Sequence, residues 1–274
     1  GCEDRFASLN GKTVLDIGCN DGSLLDFFKI KGCKTIGIEP TDAALDSKHD
    51  TIKKYFDLTS AYEILSRIGR PDIITFTNVF AHIENLPLLI DNLKILADEK
   101  TKIVIENHYL GAVFNKSQFD TFYHEHPRTY SYRSFEFIAE SLGMNVLDAE
   151  FVSRYGGNIR VYIGVGDKKV PDIDESQFPA AFDKMNKEIV KWKSETKIMI
   201  DNLVRKNGPI RAKAFPGRAA ILIKLLGLTG DQISAVYEIK GSIKVGHYVP
   251  GTKIPILPEA LLYTKEDLNK PILN

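Results

Sequence analysis

The segment that most constrains the fold is VLDIGCNDGSLL at residues 14–25, in which an apolar run ends in an acid and leads into a glycine-containing turn. A β-rich run over residues 12–17 passes through Gly18 and Gly22 into a helical pattern over residues 22–31. Glycine permits backbone conformations that other residues avoid, and it lets the chain pass close to a ligand. A strand, such a turn and a helix form the first half of a βαβ unit, which requires a parallel sheet.

The same alternation continues through the first half of the chain. Further strands are predicted at residues 34–38, 72–77 and 102–106, and helices at residues 61–68 and 86–96. Strands that alternate with helices indicate a parallel sheet covered by helices and joined by right-handed crossovers. We therefore predict an α/β fold.

The second half of the chain changes character. Residues 145–152 and 158–165 are predicted to form an antiparallel strand pair at the edge of the sheet. A charged stretch that contains Pro171 indicates a boundary, and a long helical pattern follows at residues 178–206. The predicted organisation is a large domain at residues 1–170, a helical linker at residues 171–207 and a smaller α/β domain at residues 208–274.

Composition and charge narrow the classes of partner. Lysine plus arginine and aspartate plus glutamate each number 36, so the formal net charge is zero and does not favour a nucleic-acid partner. No apolar run is long enough to span a bilayer, and we find no secretory signal. Cys2, Cys19 and Cys33 form no C-x-x-C pair, which is typical of thiols in a reducing compartment. We expect a cytoplasmic protein without a membrane partner, and the sequence sets no oligomeric state.

Three nucleotide-binding patterns compete for the turn after the first strand. A dinucleotide fingerprint needs G-x-G-x-x-G, and only Gly18 fits because Asn20 and Ser23 occupy the other two positions. A P-loop needs a lysine followed by serine or threonine, which the turn lacks. The turn is acidic and has no basic residue to meet a pyrophosphate. These features favour S-adenosylmethionine, whose amino and sulfonium groups are cationic.

The alternative is a turn that binds no ligand. It is the weaker one, because two acids lie at the ends of neighbouring strands. Asp16 can hold the amino-acid end of S-adenosylmethionine, and Glu39 can accept hydrogen bonds from both ribose hydroxyls. The residues of this region predicted to bind the cofactor are Asp16, Gly18, Asn20, Asp21, Gly22, Glu39 and Pro40.

A second signature, QFDTFYHEHPRTYS at residues 118–131, places Tyr123, His124, Glu125 and His126 side by side. A helix or strand would scatter these side chains over different faces, whereas an irregular loop can bring several of them together. A zinc site is one alternative. However, H-E-H lacks the helical i, i+4 spacing of metallohydrolases and has no third ligand nearby, so we predict no metal. General acid–base chemistry is the better interpretation, because histidine titrates near neutrality and glutamate can orient it.

Several segments together resemble the nucleotide-sugar C-methyltransferase family. They are VLDIGCNDGSLL at 14–25, TNVFAHI at 77–83, QFDTFYHEH at 118–126, GGNIRVY at 156–162, and KAFPGRAAILIKLLGL and GHYVPGTKIPI in the tail. The resemblance covers nearly the whole chain from about residue 12 onward. It implies a Rossmann-like class I methyltransferase sheet that binds S-adenosylmethionine and a smaller α/β domain that contacts the nucleotide sugar. The family usually opens with a zinc-binding domain built on paired C-x-x-C motifs, which this sequence does not contain.

In that family the methyl group is added to C3 of a nucleotide-linked 4-keto-6-deoxy sugar. The resemblance implies that His126 removes the acidified C3 proton and that the resulting enolate attacks the sulfonium methyl group. It places Tyr123, His124 and Glu125 around the sugar. It places Asn78 in the same pocket beside the cofactor, where an amide donor can stabilise an enolate oxygen.

The resemblance also implies a substrate side. Arg160 can bind a diphosphate bidentately, and Arg218, at the start of a helix, suits an anion site. The residues predicted on this side are Gly157, Asn158, Arg160, Arg218, Lys244, His247 and Tyr248. Methylation of an oxygen or nitrogen acceptor, and a nucleotide-sugar-binding relative without turnover, stay open on the residues alone.

Overall fold

The computed structural model describes residues 1–6, 8–170, 173–213, 219–263 and 270–273. The chain divides into two compact units, of which the first comprises residues 1–116 and 124–178 and the second residues 117–123 and 179–274. Each unit has its own sheet and its own apolar core. Among the described residues, no helix combines the length and the apolar character that crossing a membrane requires.

The first unit is built on a seven-stranded sheet. Its strands are β1 (Thr13–Ile17), β2 (Lys34–Ile38), β3 (Asp50–Ile52), β4 (Ile73–Thr77), β5 (Lys102–His108), β6 (Asn145–Val152) and β7 (Asn158–Gly164). They lie in the order β3-β2-β1-β4-β5-β7-β6, and β7 runs antiparallel to both of its neighbours. Strand order reverses between β1 and β4, where open α/β sheets bind ligands at the carboxyl ends of their strands. The order confirms the predicted Rossmann-like sheet with an antiparallel edge.

The helices of the first unit begin and end at recognisable signals. In the described part of this unit they are α1 (Cys2–Phe6), α2 (Ser23–Ile30), α3 (Leu58–Ile68), α4 (Leu86–Leu96), α5 (Leu110–Asn115) and α6 (Tyr132–Ser141). Helix α6 starts at a capping box in which Ser131 and Ser134 satisfy each other's backbone N–H groups. Along the strands, Leu15 and Ile74 join the core on one face of the sheet, while Val14 and Ile73 join the cluster on the other.

The second unit contains a smaller parallel sheet. Helix α7 (Phe178–Asn207) enters this unit at Pro179 and is followed by β8 (Ile210–Lys213), α8 (Ala219–Leu226), β9 (Ile233–Glu238), β10 (Ile256–Pro258) and β11 (Ile272–Leu273). The strands lie in the order β10-β9-β8-β11 and pair in parallel. The second α/β unit expected from the sequence is confirmed. Strands β10 and β11 were not predicted, because runs of three and two residues are too short to show alternation.

Candidate active site

An open cavity of about 1710 Å³ lies in the first unit and takes in the carboxyl ends of β1, β2 and β4. Most of the residues predicted to bind the cofactor line it, namely Asp16, Gly18, Asn20, Asp21, Glu39, Pro40 and Asn78. Gly22 is not part of the wall. It is the residue before α2, and its φ of 81° lets the turn lead into the helix.

The turn after β1 is held close to its neighbours by its backbone. Gly18 has a φ of 76°, and a Cβ at this position would lie 2.4 Å from Cγ2 of Val79. The N–H groups of Gly18 and Cys19 donate to the carbonyl of Ile38 at 2.8 and 3.2 Å. Glycine is therefore required at position 18 both for its conformation and for the space that Val79 takes up.

Asp16 and Glu39 are buried carboxylates with different partners. Asp16 is 2% exposed, and its Oδ1 accepts a hydrogen bond from the hydroxyl of Thr75 at 2.6 Å. Burial raises the pKa of Asp16 to about 7, with a further rise from the charge of Glu39 and an opposing effect from the Thr75 hydroxyl. Glu39 accepts the backbone N–H groups of Asn20 at 3.2 Å and Thr41 at 2.9 Å, which fix the orientation of its carboxylate.

These two carboxylates fit S-adenosylmethionine. Its amino and sulfonium groups are cationic and its ribose presents two hydroxyl donors, so carboxylate oxygens complement both ends. A carboxylate offers about four acceptor sites, so Glu39 keeps acceptor capacity beyond its two backbone bonds. A cation beside Asp16 would favour the ionised form of this residue, which burial disfavours.

Asn78 forms the cavity wall directly after β4. Its φ of 57° lies in the left-handed region, and its N–H donates to the carbonyl of Glu106 at 2.8 Å. Its Oδ1 accepts a hydrogen bond from Nδ2 of Asn158 at 3.0 Å. Asn158 also donates to Oε1 of Glu106 at 3.1 Å. Asn78 and Asn158, predicted for the cofactor and substrate sides, are thus joined in one hydrogen-bonded group.

Arg160, which the sequence predicts to bind a diphosphate, has two carboxylate partners within the protein. Its Nε and Nη2 donate to Oε2 of Glu106 at 2.9 and 2.6 Å, and its Nη1 donates to Glu150 at 2.8 Å. Strand pairing explains these contacts, because Arg160 on β7 lies opposite Glu106 on β5 and Glu150 on β6. Arg160 still borders the cavity, but its charge is balanced by these two acids.

The YHEH run is divided between the two units. His124 and Glu125 line the cavity of the first unit and are exposed, with Nε2 and Oε1 3.9 Å apart. The ring of His126 meets the ring of His82 edge-on at a centroid distance of 4.8 Å, and His82 lines the cavity. Tyr123 falls in the second unit. Across the described residues, no group of three or more histidine, cysteine or acidic side chains could hold a metal ion.

Among the described residues, the rest of the predicted substrate side is not part of the cavity wall. Gly157 has a φ of 140°, and a Cβ there would lie 2.5 Å from Cβ of Ala112, so close packing explains this glycine. Lys244, His247 and Tyr248 belong to the second unit, where Nζ of Lys244 lies 3.5 Å from Glu238. Arg218 lies outside the described residues.

Glu106 is a buried acid of this site that the sequence analysis missed. It is 3% exposed, stands near the carboxyl end of β5 and borders the cavity. An acid that ends an apolar strand run was the signal used for Asp16 and Glu39, and residues 102–106 show the same pattern. The pattern could therefore have identified Glu106.

Comparisons with known proteins match the two parts of the chain separately. A family described as a methyltransferase domain matches residues 4–149. A second family, described as a C-methyltransferase C-terminal domain, matches residues 155–269. The C-methyltransferase NovU of Streptomyces niveus is 26% identical over an alignment of 271 residues that covers 93% of this chain and 64% of that protein. The chain thus spans about 64% of the length of this relative.

Solved structures resemble part of the chain. A SAM-dependent methyltransferase from Anabaena variabilis has a TM-score of 0.46 and 18% identity, covering 60% of this chain and 82% of its own. The O-methyltransferase NcsB1 from neocarzinostatin biosynthesis, solved with S-adenosylmethionine and 2-hydroxy-5-methyl naphthoic acid, has a TM-score of 0.45 and 12% identity, covering 61% of this chain and 52% of its own.

Proposed function

The chain belongs to the methyltransferase domain family, and on this basis we propose that it transfers a methyl group from S-adenosylmethionine to C3 of a nucleotide-linked 4-keto deoxy sugar. The observation that supports this most is the composition of one cavity. Its wall brings two acids suited to the cofactor, Asp16 and Glu39, together with His82, His124 and Glu125. His126 is not itself a lining residue, but its ring contacts the ring of His82. The match of residues 155–269 to a C-methyltransferase C-terminal domain supports a carbon acceptor.

The acids at the ends of β1 and β2 bind the cofactor in this proposal. Glu39, held by the N–H groups of Asn20 and Thr41, accepts hydrogen bonds from the ribose hydroxyls. Asp16 faces the cationic amino-acid end, and Gly18 lets the backbone approach it. When bound, S-adenosylmethionine supplies an electrophilic methyl group on a positively charged sulfur.

His126 acts as the general base. The 4-keto group acidifies the hydrogen on C3, so a neutral imidazole can accept that proton at a ring nitrogen while the C–H electron pair moves toward the keto oxygen. The electron pair of the enolate would then form a C–C bond to the methyl carbon as the methyl–sulfur bond breaks, and the electrons of that bond would stay on the sulfur of the demethylated cofactor. The edge contact with His82 orients the His126 ring, and Asn78 offers an amide donor to the oxygen on which negative charge develops. Tyr123, His124 and Glu125 surround the sugar, and residues 208–274 contact the nucleotide.

Isotope transfer tests the proposal. The chain is incubated with S-adenosylmethionine that carries a deuterated methyl group and with a panel of nucleotide 4-keto deoxy sugars. The same sugars reduced at C4 serve as controls. We expect the label on carbon C3 of a keto sugar, located by mass spectrometry and NMR, and no product from the reduced sugars. A labelled methyl on oxygen or nitrogen, formed equally from the reduced sugars, would contradict carbon methylation.

A further inference from the structure

We propose that Glu106 and Asn158 are positioning residues that turn the Asn78 amide so that its NH2 group faces the cavity as a donor. The inference rests on the proposed function for its chemical purpose, since the donor would serve the substrate oxygen. The alignment of the three side chains is a property of the protein alone and can be measured without substrate.

The three side chains form a directed chain of hydrogen bonds. Nδ2 of Asn158 lies 3.1 Å from Oε1 of Glu106 and 3.0 Å from Oδ1 of Asn78. Both hydrogens of this NH2 group are therefore used. Asn158 is 1% exposed and Glu106 is 3% exposed, so these bonds are made away from water.

Glu106 determines which group donates and which accepts in these hydrogen bonds. Arg160 donates two hydrogen bonds to its Oε2, and Nη1 of Arg154 lies 3.7 Å from its Oε1, so two guanidinium groups face this carboxylate. A carboxylate oxygen that faces these donors accepts hydrogen bonds, as Oε1 does from Asn158. Asn158 must therefore present its NH2 group to Glu106, and Oδ1 of Asn78 must turn toward the same group.

The orientation of Asn78 follows from the geometry of an amide. Its Oδ1 is held by Asn158, which is not part of the cavity wall, while Asn78 itself lines the cavity. The NH2 group lies on the other side of the amide carbon. Among the described residues, none accepts a hydrogen bond from this group. Asn78 thus presents donors, and not a carbonyl, to a ligand.

Two unfavourable features accompany this arrangement. Oδ1 of Asn158 is buried without a hydrogen-bond partner among the described residues. Asn78 holds a φ of 57°, a left-handed conformation that costs a residue with a Cβ. Strain and unmet polar groups of this kind concentrate at functional sites. The unpaired oxygen belongs to Asn158 and the left-handed backbone to Asn78, and these are the two residues that orient the amide toward the cavity.

The direction of the amide matters for an enolate. Negative charge grows on the keto oxygen as the C3 proton leaves, and an N–H donor stabilises that charge. A reversed amide would present oxygen lone pairs to the same charge and oppose the reaction. Asn78 would then hinder the proton transfer while still filling its place in the wall.

Glu106→Gln tests the alignment, and Glu150→Gln is the matched control. Each change removes one carboxylate partner of Arg160, but only position 106 touches the amide chain. A glutamine at position 106 can donate its own NH2 group to Oδ1 of Asn158. The amides of Asn158 and Asn78 can then both turn over, so that donors and acceptors exchange places. Asn158→Ala is a second variant, which removes the link and leaves the pair between Glu106 and Arg160 intact.

The substrate-free readout is hydrogen exchange of the Asn158 side-chain NH2, followed by NMR with 15N-labelled asparagine. We expect slow exchange in the wild type and in Glu150→Gln, and fast exchange in Glu106→Gln. Free exchange in the wild type, or equal exchange in the two glutamine variants, would overturn the alignment. This result is independent of whether the substrate class is right.

The kinetic readout tests the purpose of the alignment. Loss of one oxyanion donor lowers kcat by about 10²–10³-fold, and we expect Asn78→Ala to do so. Glu106→Gln and Asn158→Ala should lower kcat at least about tenfold with the KM for S-adenosylmethionine unchanged, and Glu150→Gln should stay near the wild type. On the Asn78→Ala background, Glu106→Gln should add almost nothing, because it acts through Asn78.

Equal losses in Glu106→Gln and Glu150→Gln, or independent losses at positions 78 and 106, would show that Glu106 only supports the fold. If the wild type methylates no nucleotide sugar, the proposed function fails, and the exchange of the Asn158 amide alone decides the inference.

Discussion

Replacing Gly18 with alanine perturbs the turn after β1 where it lies against Val79, which follows β4. The position has a φ of 76°, a conformation that costs a residue with a Cβ about 1–2 kcal/mol. The new Cβ would lie 2.4 Å from Cγ2 of Val79, so the valine must leave its rotamer at a further cost of about 0.5–1.5 kcal/mol. We expect Gly18→Ala to lose about 1.5–3.5 kcal/mol of stability.

Gly11→Ala is the matched control for this change. Gly11 has a φ of 79°, but a Cβ there meets nothing within 4 Å, and the residue does not line the cavity. It should lose only the conformational cost of about 1–2 kcal/mol. Adding Val79→Ala to Gly18→Ala should recover the part of the loss that arises from the displaced valine.

Urea unfolding followed by circular dichroism measures the stability of these variants, and calorimetry measures their affinity for S-adenosylmethionine. Gly18→Ala should weaken cofactor binding because both Gly18 and Val79 line the cavity, whereas Gly11→Ala should bind as the wild type does. Equal effects of the two alanines on stability and on affinity would refute the role assigned to the close approach of Gly18 and Val79.

Four further predictions concern Asp16, the proposed base and metal. The pKa of Asp16 is raised from 3.8 to about 7 in the folded chain, so its contribution to stability falls as pH rises through that window; Asp16→Asn should flatten this dependence in unfolding experiments. Because a cationic cofactor favours ionised Asp16, the affinity for S-adenosylmethionine should rise with pH toward 7, and binding should release protons. Calorimetry in buffers of different ionisation enthalpy measures both effects. An affinity that does not depend on pH would exclude this contact. His126→Ala should lower turnover by about 10²–10⁴-fold and leave cofactor affinity nearly unchanged; a similar loss in His124→Ala with little in His126→Ala would move the base to His124. Treatment with a chelator should not alter stability or activity, and stoichiometric zinc in elemental analysis would contradict the prediction of no metal.

Local patterns in the sequence were sufficient for most elements of the first unit. Helix α4 spans Leu86–Leu96, the bounds predicted from its periodicity, because an asparagine cap and an apolar stripe are both local signals. The turn between β1 and α2 was recognisable from its two glycines. Gly18 and Gly22 both adopt a positive φ in the structure, a conformation that favours glycine. The antiparallel pair of β6 and β7 was predicted from two neighbouring β-rich runs.

Long-range pairings could not be read from the sequence. Arg160 lies 54 residues from Glu106 along the chain, and only the register of β5 against β7 places them together. A sequence pattern shows that Arg160 is charged, but it does not show which charge it meets. The contact between His82 and His126 has the same origin, since it joins the loops that follow β4 and β5.

Exchange of the sugar C3 hydrogen with deuterated solvent tests the proposed chemistry most directly, because it reports proton removal without methyl transfer. The nucleotide 4-keto deoxy sugar is incubated with the protein in the absence of S-adenosylmethionine, and deuterium at C3 is followed by NMR. We predict exchange that the wild type accelerates over buffer and that His126→Ala abolishes, while Glu150→Gln retains it. Absence of exchange with a wild-type protein that methylates a hydroxyl of the same sugar would contradict a carbon-acid mechanism.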